Sequence, residues 1–273
     1  MSKLLYPRIT IVTPSFNQAQ FLGRTILSVL DQDYPNLEYI VIDGGSTDGS
    51  VEIIKKYEKY ITYWVSEKDR GQSEAINKGL RLATGELVAW QNSDDIYLPG
   101  AFEQIARSFV NSRGIDLFIG NMNLIDEEDR IIENLKYVTP TYKSLLTEGM
   151  VLTNQSAFWV KGIHQKIGYL NESLHYGFDY EWFLRVLNIG KGAHVNKTLG
   201  CLRMHNATKT HNFQELFKLE YDKILHNKKI SRIQKIQYRV RRLLLMIKMG
   251  EFKYILRGFK RRLINLLNSK RTL

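Results

Sequence analysis

A single cysteine, Cys201, stands among 273 residues, which excludes an internal disulfide and any zinc site built on cysteines, and suits a reducing compartment. Its expected place is the core. Five prolines, no internal repeat and no low-complexity tract predict a chain that is ordered over most of its length. No apolar run reaches the length of a membrane span, and residues 1–8 are too short and too interrupted for a signal peptide. The expectation is a cytoplasmic protein.

Positive charge is what the chain has in excess: 39 Lys and Arg against 28 Asp and Glu, a net of +11. Mapped along the chain, residues 213–273 hold 17 basic and 4 acidic side chains, whereas residues 1–212 hold 22 and 24. The basicity belongs to the tail. There Ile233, Ile236, Val240, Leu243, Leu244 and Ile247 mark one helical stripe among Arg232, Lys235, Arg239 and Arg242, and Arg257, Lys260, Arg261 and Arg262 flank Leu263, Leu266 and Leu267. Such helices suit an anionic membrane surface, here the inner face of the plasma membrane. Equally, the stripe could pack on protein. No nucleic acid is expected, because the tail has charge but no recognised motif and few aromatics for stacking.

Strand-like runs at 8–12, 37–42, 61–65, 86–90 and 115–119 alternate with helical patterns at 21–30, 50–60, 73–83 and 99–110. This alternation predicts an α/β fold with a mainly parallel sheet covered on both faces. Ligands bind such sheets beyond the carboxyl ends of the strands, so the polar clusters 13–17, 43–48, 67–72 and 92–95 are expected on one rim. Further on, an apolar run at 149–160 encloses Asn154, Gln155 and Ser156, a helix is expected over 179–189, one or two strands over 193–204, and basic helices after 211. The expected domains are 1–212, with halves at 1–120 and 121–212, and a helical extension at 213–273.

The sharpest feature is Trp90-Gln91-Asn92-Ser93-Asp94-Asp95, where an apolar run ends on two adjacent carboxylates. Like charges at a strand end repel, so they imply a cation or a ring of donors. A bound Mg²⁺ or Mn²⁺ fits; the alternative is a cap for the next helix. The cluster Asp43-Gly44-Gly45-Ser46-Thr47-Asp48 offers a carboxylate and two glycines that admit a close ligand, or else a tight turn. It lacks the G-x-G-x-x-G spacing of a dinucleotide fold. Trp90, Trp159 and Trp182 lie in apolar runs and read as core.

Taken in order, Ile9-Thr10-Ile11-Val12-Thr13-Pro14-Ser15-Phe16-Asn17, Val41-Ile42-Asp43-Gly44-Gly45-Ser46-Thr47-Asp48-Gly49-Ser50, Gly71-Gln72-Ser73 with Asn77-Lys78-Gly79, and Asn92-Ser93-Asp94-Asp95 resemble the motifs of glycosyltransferase family 2. The resemblance spans about residues 8–205. It implies a GT-A fold and an inverting, metal-dependent transfer from a nucleotide-sugar donor to a saccharide or lipid-linked acceptor, in surface polysaccharide or glycolipid assembly. It implies that Pro14, Ser15, Phe16 and Asn17 line the nucleotide pocket, that Asp43 and Gly44 meet the nucleoside, and that Gly71, Gln72 and Asn77 lie near the base or ribose. Asn92-Ser93-Asp94 stands where the family has D-x-D, so Asp94, with Asp95, is implied as a metal ligand.

Two positions depart from the family pattern. Gly44 replaces an Asp that often reads the base, and Asn92 replaces the first Asp of D-x-D. Downstream, Gly177-Phe178-Asp179-Tyr180-Glu181-Trp182 resembles the E-D motif, which makes Asp179 the implied base; a helix-opening Asp is otherwise an N-cap. Glu181 is expected to pair with Arg185. Arg203-Met204-His205 resembles an R-x-H segment, implying Arg203 at the departing diphosphate and His205 as a metal ligand. Two rivals are weighed: a nucleotidyltransferase, which should carry a glycine-rich basic loop that 13–17 lacks, and a non-catalytic sugar-nucleotide or membrane-binding module.

Overall fold

The computed structural model describes residues 6–206, 208, 213–226, 228 and 230–269, with the side chains of 261–269 outside the description. β1 (Ile9–Ser15) is buried at every position, the pattern of a strand covered on both faces. β2 (Leu37–Asp43) pairs with it in parallel from Ile9 opposite Leu37 to Ser15 opposite Asp43, and β3 (Tyr63–Ser66) continues beyond β2. β4 (Leu87–Trp90) flanks the other side of β1 and ends opposite Val12. That early end explains Pro14 within β1. The missing N–H would face the β4 side, where the last contact is Gln91 N–H on the Val12 carbonyl.

α1 (Ala19–Leu30), α2 (Ser50–Tyr57), α3 (Gln72–Leu82) and α4 (Ala101–Asn111) follow strands in turn. α1 turns Phe21, Leu22, Thr25, Ile26 and Val29 inward at three- and four-residue steps. The order β3-β2-β1-β4 reverses between β1 and β4. A crevice therefore opens beyond their carboxyl ends.

Past β4 the sheet becomes mixed. β8 (Ala157–Val160) is antiparallel to β4 and to β6 (Leu117–Ile125), and β9 (Gly192–Arg203) runs parallel to β6. β5 (Ile96–Tyr97) and β7 (Ile131–Leu135) add antiparallel pairs to β9 and β6. Neither short strand has a readable pattern: β5 has two residues, and β7 is mostly exposed. α5 (Tyr142–Glu148), α6 (Ile163–Ile167), α7 (Phe178–Ile189) and α8 (Gln214–Leu225) complete the first unit.

Trp90, Trp159 and Trp182 are core, as expected, with ring centroids 5.2 Å apart for the first pair and 5.8 Å for the second. Such pairs contribute about 1 kcal/mol each beyond the area they bury. Beside them His164 accepts the Trp159 indole N–H at 2.9 Å and stacks on Trp182 at 4.8 Å. Burial holds its pKa down at about 4. Cys201 is buried, and Arg185 forks onto Glu181 at 2.6 and 2.9 Å.

The chain divides into two compact units, Met1–Lys228 and Lys229–Leu273. The division expected after 212 thus falls after 228, because α8 belongs to the first unit: Tyr221 lies 4.6 Å from Tyr180, and Phe217 lies 5.3 Å from Tyr176. The second unit holds α9 (Arg232–Lys248) and α10 (Phe252–Ser269). α9 opens on a capping box in which Ser231 Oγ accepts Gln234 N–H and Gln234 Oε1 accepts Ser231 N–H. Ile233, Ile236, Val240, Leu243, Leu244 and Ile247 are exposed. The side chains of Arg261, Arg262, Leu263, Leu266 and Leu267 lie outside the described residues. Among those described, no helix is long and apolar enough to cross a membrane.

Candidate active site

Four loops meet at the crevice. After β1, Phe16 is 58% exposed, and Asn17 adopts a left-handed φ of 50°. Its N–H donates to Ser46 Oγ at 2.8 Å and its Oδ1 accepts Thr47 N–H at 2.9 Å, tying the first loop to the second. Ser15 Oγ is buried without a partner among the described residues. A hydroxyl so placed is accounted for by a ligand or a water.

Asp43 is fully buried at the end of β2. Its Oδ2 accepts Gly45 N–H, Ser46 N–H and Ser66 Oγ at 3.1, 2.9 and 2.7 Å, and its Oδ1 accepts Ser46 Oγ at 2.6 Å. These oxygens shape the loop. Beside it, a Cβ added to Gly44 would stand 2.6 Å from Asp69 Oδ2, so Asp69 fills the space an Asp at 44 would take. Asp69 Oδ1 accepts Gly71 N–H at 2.9 Å. Burial raises its pKa, and the Glu74 and Asp43 charges add to the rise. Sequence reasoning missed Asp69; the bare Gly44 was its one signal.

Gly71, at φ +140°, is the N-cap position of α3. Gln72 Nε2 then donates to Asn92 Oδ1 at 2.8 Å, and Asn92 Nδ2 donates to Asp95 Oδ2 at 3.0 Å. Asn92 is thus a relay between loops, and its oxygen is engaged. Asn77 is buried, donates to the Leu170 carbonyl and to Glu172 Oε1, and accepts Leu170 N–H. It fastens the 170–172 loop.

The paired carboxylates divide in role. Asp95 is 2% exposed, with Oδ1 accepting Arg203 N–H at 2.9 Å and Oδ2 accepting Gln155 Nε2 at 2.7 Å as well as Asn92. Burial, then the Asp94 charge, pushes its pKa well up. Asp95 is a buried anchor. Asp94 keeps 21% of its side chain exposed, and its Oδ2 lies 3.1 Å from His205 Nε2. Neither carboxylate caps α4, whose N-cap position is Gly100. Thr25 Oγ1 reaches the Ser93 and Asp95 carbonyls, at 2.9 and 2.7 Å, and so places Ser93 in a turn anchored on α1.

Arg203 is buried, with Nε and Nη1 engaged in the frame and Nη2 without a hydrogen-bond partner among the described residues. Its Nε donates to the Asp94 carbonyl at 2.8 Å, its Nη1 donates to the Asp126 carbonyl and pairs with Asp129, and its guanidinium sits 5.0 Å over Phe21. These contacts brace the Asp94 turn. His205 stacks on Phe21 at 4.6 Å. An open cleft of about 490 Å³ lies against it, walled by Asp126, Glu127, Glu128, Met204 and Asn206.

Among the described residues no group of three or more His, Cys, Asp and Glu could hold a metal. Asp94 and His205 supply one oxygen and one nitrogen, a donor pair whose chemistry fits a divalent cation such as Mn²⁺. Asn154, Gln155 and Ser156, expected at the acceptor, are buried, and Gln155 serves Asp95. Asp179 lies in the first turn of α7, two residues past its N-cap position Gly177, and is half-buried. Its Oδ1 accepts Tyr180 N–H at 2.7 Å. Phe178, one residue earlier, meets Trp90 at 6.4 Å, which sets the start of α7 near the end of β4.

Comparison with known proteins agrees with this architecture. The model of "Glycosyl transferase family 2" matches residues 10–158. Chondroitin synthase of Escherichia coli is 27% identical over 239 residues, covering 85% of this chain and 34% of that protein, so the chain spans about a third of this relative. A glycosyltransferase of Mycobacterium tuberculosis is 30% identical over 182 residues, covering 66% and 68%. Among solved structures, S. aureus TarS 1–349 with UDP-GlcNAc has a TM-score of 0.65 at 17% identity, over 88% of this chain and 73% of that one. The Pyrobaculum calidifontis mannosyltransferase PcManGT, with GDP-Man and Mn²⁺, has a TM-score of 0.56 at 16% identity, over 74% and 59%. The strand order, the likeness to these solved structures and the family model together give this chain a GT-A fold and show that it belongs to glycosyl transferase family 2.

Proposed function

We propose that the protein transfers a sugar from a nucleoside diphosphate sugar to a saccharide or lipid-linked acceptor with inversion at the anomeric carbon. The observation that carries this reading is the convergence of Asp94 and His205, 3.1 Å apart, at the rim where the loops after β1 to β4 meet. The TarS and PcManGT complexes hold UDP-GlcNAc and GDP-Man, and UDP-sugars are the first donors to test.

The crevice loops would take the nucleotide, with Ser15 Oγ free to donate and Phe16 exposed to cover it. Asp94 and His205 would hold a divalent cation, which when bound neutralises charge on the diphosphate. In a single displacement the acceptor oxygen attacks the anomeric carbon, the bond to the diphosphate breaks, and the nucleoside diphosphate leaves with the bonding pair. Asp179 takes the acceptor's proton as the new bond forms. Its half-buried site leaves it reachable while limiting competing water.

The second unit would hold the enzyme at an anionic membrane. α9 exposes its apolar stripe beside Arg232, Lys235, Arg239, Arg241 and Arg242, which suits a lipid-linked acceptor. Thermal shift with UDP-, GDP-, dTDP- and CMP-sugars, with and without Mn²⁺, tests the donor reading. Stabilisation by one nucleotide class that needs Mn²⁺ and disappears in Asp94→Ala supports it; no stabilisation of the folded protein by any donor contradicts it. Co-sedimentation with phosphatidylglycerol but not phosphatidylcholine vesicles is expected.

A further inference from the structure

α7 begins without a side-chain cap of its own. The three backbone N–H groups leading into it, from His175, Tyr176 and Gly177, all donate to one carboxylate, Glu220 on α8, at 2.9, 2.9 and 2.7 Å. We infer that Glu220 is a positioning residue for glycosyl transfer: it fixes the turn that carries Asp179, and thereby the place of that carboxylate against the donor loops. The inference rests on the reading of Asp179 as the base.

Several independent contacts make this turn a junction. On the donor side, Glu172 pairs with Arg70 at 2.7 Å, and His175 Nδ1 stands 3.5 Å from where a Cβ on Gly71 would lie. On the other side, α8 closes over the turn. Gly177 has no side chain, and a Cβ there would come 3.0 Å from Ile224 and 3.1 Å from Tyr221. Burial raises the Tyr221 pKa, and the charge of Asp179 raises it next, so α8 lies within electrostatic reach of the base. Burial alone would raise the pKa of Glu220, yet the three N–H donors outweigh it and hold the carboxyl below its usual range. The carboxylate is therefore ionised at neutral pH and sits at the positive end of α7.

A group held this way matters for geometry, because a base displaced by about an ångström can cost on the order of a hundredfold in rate. The test uses the full chain with MnCl₂ and UDP-GlcNAc, UDP-glucose, UDP-glucuronate or GDP-mannose, reading release of nucleoside diphosphate. Glu220→Ala should lower kcat by about tenfold or more with donor KM within about twofold, and Glu220→Gln, which keeps one acceptor oxygen, should recover part of the loss. Hydrogen exchange at amides 175–177 should rise in both variants, and this reading applies even where turnover is low. Wild-type kcat in Glu220→Ala, or a loss lying wholly in KM, overturns the inference. Asp179→Asn separates the two levels: if it turns over normally, the base reading has failed; if it is inactive while Glu220→Ala is not impaired, only the positioning role has failed.

Discussion

Asp94 and Asp95 are neighbours in sequence with opposite expected phenotypes, and truncating each to Ala measures the difference. Asp95 receives the backbone N–H of Arg203 and the side-chain amides of Gln155 and Asn92, at 2.9, 2.7 and 3.0 Å. Removing the carboxylate strands two buried donors and the part-buried Asn92 amide, each buried one worth about 1–3 kcal/mol when left unpaired. Because Asn92 and Gln155 can partly re-pair, the sum is reduced and Asp95→Ala should cost about 3–5 kcal/mol. Asp94, with 21% of its side chain exposed and His205 as its side-chain partner, should cost less than about 1 kcal/mol. Urea unfolding at pH 7, followed by the fluorescence of Trp64, Trp90, Trp159 and Trp182, reads the first unit, where all four lie. Isothermal titration with UDP-GlcNAc and Mn²⁺ reads the site. Asp95→Ala should be unstable, while Asp94→Ala should be stable and lose metal-dependent binding. A stable Asp95→Ala that loses metal-dependent binding would refute the division and place Asp95 in the ligand set.

Asn92→Asp should place a second carboxyl group against Asp95, lowering stability by about 2 kcal/mol in urea unfolding at pH 7. His164, held down at about 4 by burial against 6.5 when free, stays neutral in the fold while the unfolded chain binds its proton. Stability should therefore fall by about 3 kcal/mol as pH drops from 6.5 to 4, and His164→Phe should flatten that slope in urea unfolding across the range. Gly44→Asp crowds Asp69 and should weaken donor binding about tenfold by titration, with Gly44→Asp/Asp69→Gly recovering most of it.

The parallel half of the fold was legible because its strands are buried on both faces and its helices repeat at three and four residues. β1 and α1 show this well: one is buried throughout, the other apolar at Phe21, Leu22, Ile26 and Val29. β7 was not legible because it is an exposed edge, and α6 because it has five residues. In the site, Asp94 could be picked out as a charge at a strand end. The roles of Asp95, Asn77 and Arg203 could not, since they depend on contacts 60 to 109 residues apart in sequence, such as Asp95 with Gln155 and Arg203 with the Asp94 carbonyl. Glu220 looked like one acid in a basic tail until α8 brought it to the start of α7.

The most direct test of the central claim is nucleoside diphosphate release from the same sugar-nucleotide panel, with and without Mn²⁺, in wild type, Asp94→Ala and Asp179→Asn, alongside donor affinity for each. The account predicts Mn²⁺-dependent release by wild type, loss of both release and metal-dependent affinity in Asp94→Ala, and loss of release by about a hundredfold with affinity kept in Asp179→Asn. Undiminished release in Asp179→Asn, or donor binding indifferent to Mn²⁺ and to Asp94, would contradict it.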